Sequence, residues 1–223
     1  MKCMLLAAGL GERLRPITDK TPKPLIEIAG KPIIVHHLER LKSSGFNHII
    51  INTSHLGEMI KQHLGDGTQF GLRIEYSHEV APLETAGGII NALPLLGKKP
   101  FLVINADIWC EHKLSFANLS RDKLAHLVLV ENPTHNTDGD FSYEFGRIYN
   151  HGKSRLTFSG IGLYDPKLFS NLAAEKLALA PILRAAIDEE LVSAEYFTGK
   201  WFDIGTQERL AETEHYVSKF LNT

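Results

Sequence analysis

Short unbroken apolar runs alternate along this chain with segments whose apolar positions recur every three or four residues. Residues 2–7, 48–53, 100–104 and 125–131 are runs of the first kind. Each predicts a strand covered on both faces, because a half-exposed strand would alternate apolar with polar positions. A helical period occupies Pro32 to Ser44, where Ile34, Val35, Leu38 and Leu41 share one face. Proline stands in its first turn and Gly45 follows as a stop. Residues 57–64 and 85–96 predict two further helices, the second ending near Pro94. Strands alternating with helices imply a mostly parallel sheet layered by helices on both faces. The second half is less regular. Tyr143–Tyr149 and Leu156–Tyr164 predict strands of a mixed or antiparallel edge. Helices follow near 166–171, 178–190 and 207–220, the last carrying Leu210, Tyr216, Val217 and Phe220. No repeat, low-complexity tract or long linker divides the chain, so one domain is expected over residues 1–223.

Composition narrows the setting. Of 223 residues, 43% are hydrophobic and 22% charged, enough apolar surface to bury a substantial core. A formal net charge of −2, with both signs dispersed, argues against non-specific nucleic-acid binding. No stretch reaches the roughly 18 apolar residues that a bilayer span requires. The opening apolar run leads straight into a glycine-rich turn, so its removal as a leader would destroy that motif. Cys3 and Cys110 are isolated in apolar settings and read as small buried hydrophobes in a reducing cytoplasm. The 11 histidines include the adjacent His36 and His37 but no spacing that predicts zinc.

The candidate chemistry is concentrated in residues 5–25. An apolar run opens into Gly9 and Gly11, then Arg13 and Arg15, then Lys23 between Pro22 and Pro24. Bare backbone N–H groups after a strand can approach phosphate, and three nearby cations favour a ligand carrying several phosphates. The glycines alone match only half of the dinucleotide fingerprint, since Leu14 stands where its third glycine would be, and the P-loop spacing is absent. The prolines hold Lys23 in an extended segment, a stiffening that a solvated lysine does not need. Asp107 ends an apolar strand, where ligands gather in open α/β sheets. Asp203 lies among Trp201, Phe202 and Ile204, and a carboxylate in such company needs a partner. Magnesium shared with phosphate oxygens would serve both, because it takes one or two protein carboxylates and completes its shell with phosphate and water. The alternative is that each aspartate caps a helix or turn.

Ala-Ala-Gly-x-Gly-x-Arg-x-Arg-Pro-x-Thr at 7–18, followed by Pro-Lys-Pro-Leu at 22–25, resembles the signature of the sugar-1-phosphate nucleotidylyltransferases. These join a nucleoside triphosphate to a sugar 1-phosphate and release pyrophosphate. The resemblance covers nearly the whole chain. In Leu83–Ile89, Asn132–Phe141, Leu156–Gly162 and Trp201–Thr206 it is nearest to the short N-acetylmuramate-1-phosphate uridylyltransferases of bacterial cell-wall recycling. It implies a Rossmann-like three-layer α/β sandwich, with a nucleotide-binding half at about 1–110 and a sugar-binding half at about 111–223. It also implies Mg2+ held by Asp107 and Asp203, and catalytic roles for Arg13, Lys23 and Asp107. Ala8, Gly9, Gly11 and Glu12 would line the triphosphate cradle. Arg13 would hold the leaving phosphates, and Lys23 would bridge sugar phosphate and α-phosphate. Base selection falls to Glu79 and to Glu84–Gly88, with Gly87 and Gly88 lying against the base and Asn105 reaching the nucleotide. The sugar is expected against Asn105, Asp140, Ser159 and Gly160, with Arg147 and Arg155 as candidates for the lactyl carboxylate of muramate. Other branches of the family often carry glutamine near position 79 and glycine in place of Glu84, departures that bear on the base contacts.

The implied reaction needs positioning more than a base. A phosphate monoester has its second pKa near about 6, so the attacking oxygen is largely ionised at neutral pH. The obstacle is bringing two polyanions together and stabilising the leaving pyrophosphate. The expected partners are UTP and a sugar 1-phosphate, with no nucleic acid or membrane, for a cytoplasmic monomer or weak homo-oligomer. Alternatives keep the chemistry with GTP and mannose 1-phosphate, or with dTTP or UTP and glucose 1-phosphate. A catalytically silent nucleotide-sugar sensor is a further alternative, against which stand the retained Arg13, Lys23, Asp107 and Asp203.

Overall fold

The computed structural model of the chain describes residues 1–116 and 119–221, with the side chain of Phe220 outside those described. In chain order its strands are β1 (Cys3–Leu6), β2 (Glu27–Ile28), β3 (Lys31–Pro32), β4 (His48–Thr53), β5 (Arg73–His78), β6 (Phe101–Asn105) and β7 (Ile108–Cys110). They continue with β8 (Ala125–Val130), β9 (Phe141–Glu144), β10 (Arg147–Tyr149), β11 (Arg155–Tyr164), β12 (Val192–Tyr196) and β13 (Trp201–Asp203). The α-helices are α1 (Ile33–Ser43), α2 (Gly57–Leu64), α3 (Glu84–Leu96), α4 (Leu179–Asp188) and α5 (Gln207–Leu221).

β1 is the sheet's axis. It pairs in parallel with β4 on one side and β6 on the other, and β5 extends the sheet beyond β4. β11 pairs antiparallel to β6, to β8 and to β9, while β12 adds to β8 in parallel. Only β10 and β11 run against the other strands of this nine-stranded sheet, which is therefore mixed and mostly parallel. Successive residues of β1 serve opposite faces. Cys3 and Leu5 join the core with Ile34, Leu38 and Leu41 of α1, whereas Met4 packs with Ile89 of α3 and Leu183 of α4. That alternation makes the three layers. A third core lies beyond the strand ends, where Leu14, Ile26 and Ile28 meet Trp109, Ile204 and Val217.

The long apolar runs became strands within a residue of their expected limits. Three departures have local causes. Residues 143–149 form a hairpin, not one strand, because Phe145 (φ 51°) and Gly146 (φ 77°) turn the chain between β9 and β10. Pro94 does not end α3, which runs to Leu96 before Gly97 at φ 87°. The helix expected near 166–171 is one 3-10 turn, Pro166–Phe169, started by the Asp165 side chain accepting from Lys167 N.

His37 of α1 is fully enclosed, and neither ring nitrogen has a hydrogen-bond partner among the described residues. Burial, reinforced by the Arg40 charge, lowers its pKa to about 3. The Ile108 backbone acts in the other direction and is outweighed. The unfolded chain binds this proton near pH 6.5, so stability is complete above that pH and falls as acid is added. From pH 7 to pH 5 the loss should be about 2 kcal/mol. Thermal melting of the wild type and of His37→Leu checks this: the variant should lose less melting temperature over that interval. Equal losses would show that His37 is not the sensitive group.

Candidate active site

The carboxyl ends of β1, β4 and β6 open into a cleft of about 200 Å³ lined by Ala7, Ala8, Gly9, Lys23, Asn52, Glu79, Glu84, Asn105 and Asp107, among others. Strand register builds its floor. Leu6 is paired with Asn52 on one side and Asn105 on the other. Asn52 Oδ1 accepts from Ala7 N at 2.7 Å, and its Nδ2 donates to Glu79 Oε1 at 2.7 Å. The other Glu79 oxygen accepts from Leu83 N at 2.9 Å. These bonds tie the end of β1 to the loop that starts α3. Glu79 is buried and holds the cleft wall together, with both oxygens already engaged by the protein.

The cradle follows from Gly11. It stands at φ 65°, and a Cβ there would meet Thr18 Cγ2 at 2.8 Å, so both backbone and space require glycine. Thr18 Oγ1 donates to Gly11 O at 2.9 Å, closing the turn. Glu12 and Arg13 are exposed on the 3-10 turn that follows. Arg15 instead pairs with Asp19 at 3.3 Å. Lys23 is buried and its ammonium contacts Asp107 Oδ2 directly.

Asp203 reaches the same region from the far end of the chain. β13 pairs antiparallel with β7, setting Asp203 opposite Ile108, and Ile204 N donates to Asp107 O at 2.9 Å. The two aspartates are therefore neighbours across one ladder. Asp203 Oδ2 accepts from Arg209 Nη1 at 2.6 Å and lies 3.2 Å from His135 Nε2. Its Oδ1 takes no hydrogen bond from a described residue, which leaves an anionic oxygen available to a hard cation. Two carboxylates, one on β13 and one in the turn just before β7, fit magnesium's preference for few protein ligands. No cluster of three or more acidic, histidine or cysteine ligands occurs among the described residues.

Several expected contacts take a different form. Gly87 and Gly88 are buried and admit protein atoms: a Cβ on Gly87 would stand 2.0 Å from Glu175 O, and one on Gly88 2.7 Å from Glu79 Oε1. Neither is among the residues lining the cleft; Glu84 and Thr85 hold that position. Gly160, at φ 81°, makes room for the Asn105 side chain, which would lie 2.7 Å from its Cβ. Ser159 is fully buried, with its hydroxyl accepting from Ile161 N and its carbonyl from Trp201 Nε1. Asp140 anchors a loop, accepting from Phe158 N at 2.8 Å and Asn136 Nδ2 at 3.2 Å. Arg155 gives its guanidinium to the carbonyls of Asp138, Gly139, Asp140 and Asn150, so it is already engaged. Arg147 is exposed on β10.

Asn52, His135 and Arg209 were missed. Asn52 carried a usable signal, a polar residue ending an apolar strand at the same level as Asn105. Arg209 lies six positions after Asp203 in a helix that reads only as amphipathic, and His135 is one histidine among many.

Residues 2–136 match the nucleotidyl transferase family. The N-acetylmuramate alpha-1-phosphate uridylyltransferase of Neisseria meningitidis serogroup B is 50% identical, over 96% of this chain and 97% of its own. A mannose-1-phosphate guanylyltransferase catalytic subunit beta from Xenopus tropicalis is 31% identical over 92% of this chain, which spans 61% of that protein. A solved Bacillus anthracis chain described as a glucose-1-phosphate thymidylyltransferase superposes with a TM-score of 0.86 at 24% identity, over 98% of this chain and 95% of that one. That likeness bears on the fold alone.

Glu84 opens α3 at φ 60°, a left-handed conformation that costs a side chain roughly 1 kcal/mol or more relative to glycine. It faces the cleft, with Lys176 Nζ 3.6 Å away. Glu84→Gly should raise stability by about 1 kcal/mol, read as a higher urea midpoint at constant slope. A midpoint that stays put or falls would remove strain from the description of this residue.

Proposed function

The chain belongs to the nucleotidyl transferase family, and from that premise we propose that it joins UTP to N-acetylmuramate 1-phosphate, releasing pyrophosphate. Family enzymes act on nucleoside triphosphates and sugar phosphates. The reading is supported by Lys23 contacting Asp107 in the cleft that Gly9 lines, and by the β7–β13 ladder, which brings the Asp203 backbone next to that of Asp107. The choice of uracil and muramate is supported by the 50% identity along nearly the full length of the Neisseria protein. The role is peptidoglycan recycling, in one domain whose first half holds nucleotide and whose second holds sugar. We place it in the cytoplasm, as a monomer or weak homo-oligomer. Among the described residues no helix is long and apolar enough to cross a membrane.

The residues divide the work by position. Backbone amides around Gly9 and Gly11 receive phosphate oxygens, and Asn52 and Glu79 hold the loop that borders the base. Lys23 rests against Asp107 and presents its ammonium where the sugar phosphate meets the α-phosphate. Its buried stem and flanking prolines fix that point charge before substrate arrives, which lowers the reorganisation needed in the transition state. The phosphate oxygen attacks in line, and the α–β bridging bond breaks as pyrophosphate departs. Asp107 and Asp203 would hold Mg2+, which when bound supplies charge neutralisation for the phosphates.

Pyrophosphate release should be measured with each of UTP, GTP and dTTP against the 1-phosphates of N-acetylmuramate, mannose and glucose. Turnover is expected with UTP and N-acetylmuramate 1-phosphate, and chelation with EDTA should abolish it until magnesium is restored. Exclusive use of GTP with mannose 1-phosphate would refute the substrate assignment. In the same assay Lys23→Ala and Asp107→Ala should each lower kcat by about 100-fold or more, and wild-type rates in either would remove that residue from the mechanism.

A further inference from the structure

The turn after Asp203 gathers more positive charge than it neutralises. Arg209 Nη1 donates to Asp203 Oδ2 at 2.6 Å and lies 2.7 Å from His135 Nε2. The other end of the same guanidinium approaches Gly205. A Cβ on Gly205 would stand 2.1 Å from Arg209 Nη2 and 3.1 Å from Arg13 Nη2. Two guanidiniums, from opposite ends of the sequence, thus meet across a residue that has no side chain. Gly205 is not in the left-handed region, so a Cβ there would act only by displacing the two guanidinium ends. Arg13 has no hydrogen bond or ion pair to any described residue. Asp203 is the one carboxylate bonded to Arg209 among them.

Arg209 is also built in. Its side chain is 15% exposed. Thr206 Oγ1 accepts from its backbone N at 3.3 Å and from its Nε at 3.4 Å. Gln207 Nε2 donates to Arg15 O at 3.2 Å, tying the first turn of α5 to the cradle. Like charges held this close repel unless an anion joins them. Neither arginine lines the cleft that ends at Lys23 and Asp107. Gly9 lines that cleft, and Arg13 follows it on the same loop.

We propose that Arg209 joins Arg13, to which the family resemblance already gives the leaving phosphates, as the second guanidinium of a clamp on the β- and γ-phosphates of the nucleotide and on the pyrophosphate that leaves. This rests on the transferase reading. A diphosphate group carries enough charge and oxygens for two planar forks, whereas a single sugar phosphate is already served by Lys23. Asp203 and His135 fix the guanidinium of Arg209 so that its free edge points at Arg13.

Calorimetric titration of magnesium pyrophosphate, UMP and, separately, Mn2+ into wild type, Arg209→Met and Gly205→Ala tests the clamp. Arg209→Met should weaken pyrophosphate binding about tenfold or more, with UMP and Mn2+ within about twofold of wild type. Gly205→Ala keeps both charges but drives a methyl into them, so it should show the same selective loss even if Arg209→Met folds poorly. The double variant Arg13→Met, Arg209→Met should lose less than the product of the single losses. Unchanged pyrophosphate affinity in both single variants overturns the clamp, as does an equal loss of Mn2+, which would make Arg209 only a positioning residue for Asp203. If these variants are unaffected while the wild type turns over UTP, the clamp alone fails. A wild type that neither binds pyrophosphate nor releases it overturns the transferase reading as well.

Discussion

The short ladder between β7 and β13 is the constraint on which the site depends. Its bonds join residues about a hundred positions apart and set Asp203 beside Asp107. Neither strand could hold that place alone, because each has only three residues. The third hydrophobic cluster fixes them from behind: Trp109 and Ile204 pack with Leu14, Ile26 and Val217. Leu14 belongs to the turn that carries Arg13, and Val217 to the helix that carries Arg209. A single apolar cluster therefore ties together the Gly11–Leu14 turn, the β7–β13 ladder and α5. Burial of this kind is non-directional, yet close packing makes it geometrically exacting.

Charge in the site is arranged in pairs that exchange partners easily. Lys23 rests on Asp107, and Arg209 rests on Asp203. Neither pair is sealed from water, since the Asp107 and Asp203 side chains are 35% and 22% exposed. Under the proposed function, substrate phosphates and a divalent ion would rearrange these contacts without stranding a charge in a low dielectric. Away from the site, Glu195 shows a different arrangement. Its carboxylate is flanked by His112 and His126, which hold its pKa down to about 2 and join β12 to the segment after β7.

How much of this was legible in the sequence depended on the range of the interaction. The parallel strands and α1 announced themselves because buried strands and amphipathic helices have periodic local signatures. β5, β7, β12 and β13 did not, since an edge strand or a three-residue ladder leaves no period to find. Among site residues, Gly11, Lys23 and Asp107 were recognisable from unusual local chemistry. The packing duties of Gly87, Gly88 and Ser159 were not, because what a glycine or serine touches is decided by segments far away, here Glu175, Glu79 and Trp201. The same reason hid Arg209, whose meaning appears only when α5 is laid against the cradle.

β11 is the one strand of the large sheet that hydrogen-bonds to both halves, to β6 on the parallel side and to β8 and β9 on the other. It acts as a seam between the parallel strands that floor the cleft and the strands beyond them. Substitutions in the β9–β10 hairpin or in the 132–140 loop leave the register of β1, β4 and β6 untouched so long as that seam stays intact. Under the proposed function, changes on the far side of that seam would alter the sugar end of the site without moving the strands that floor the cleft.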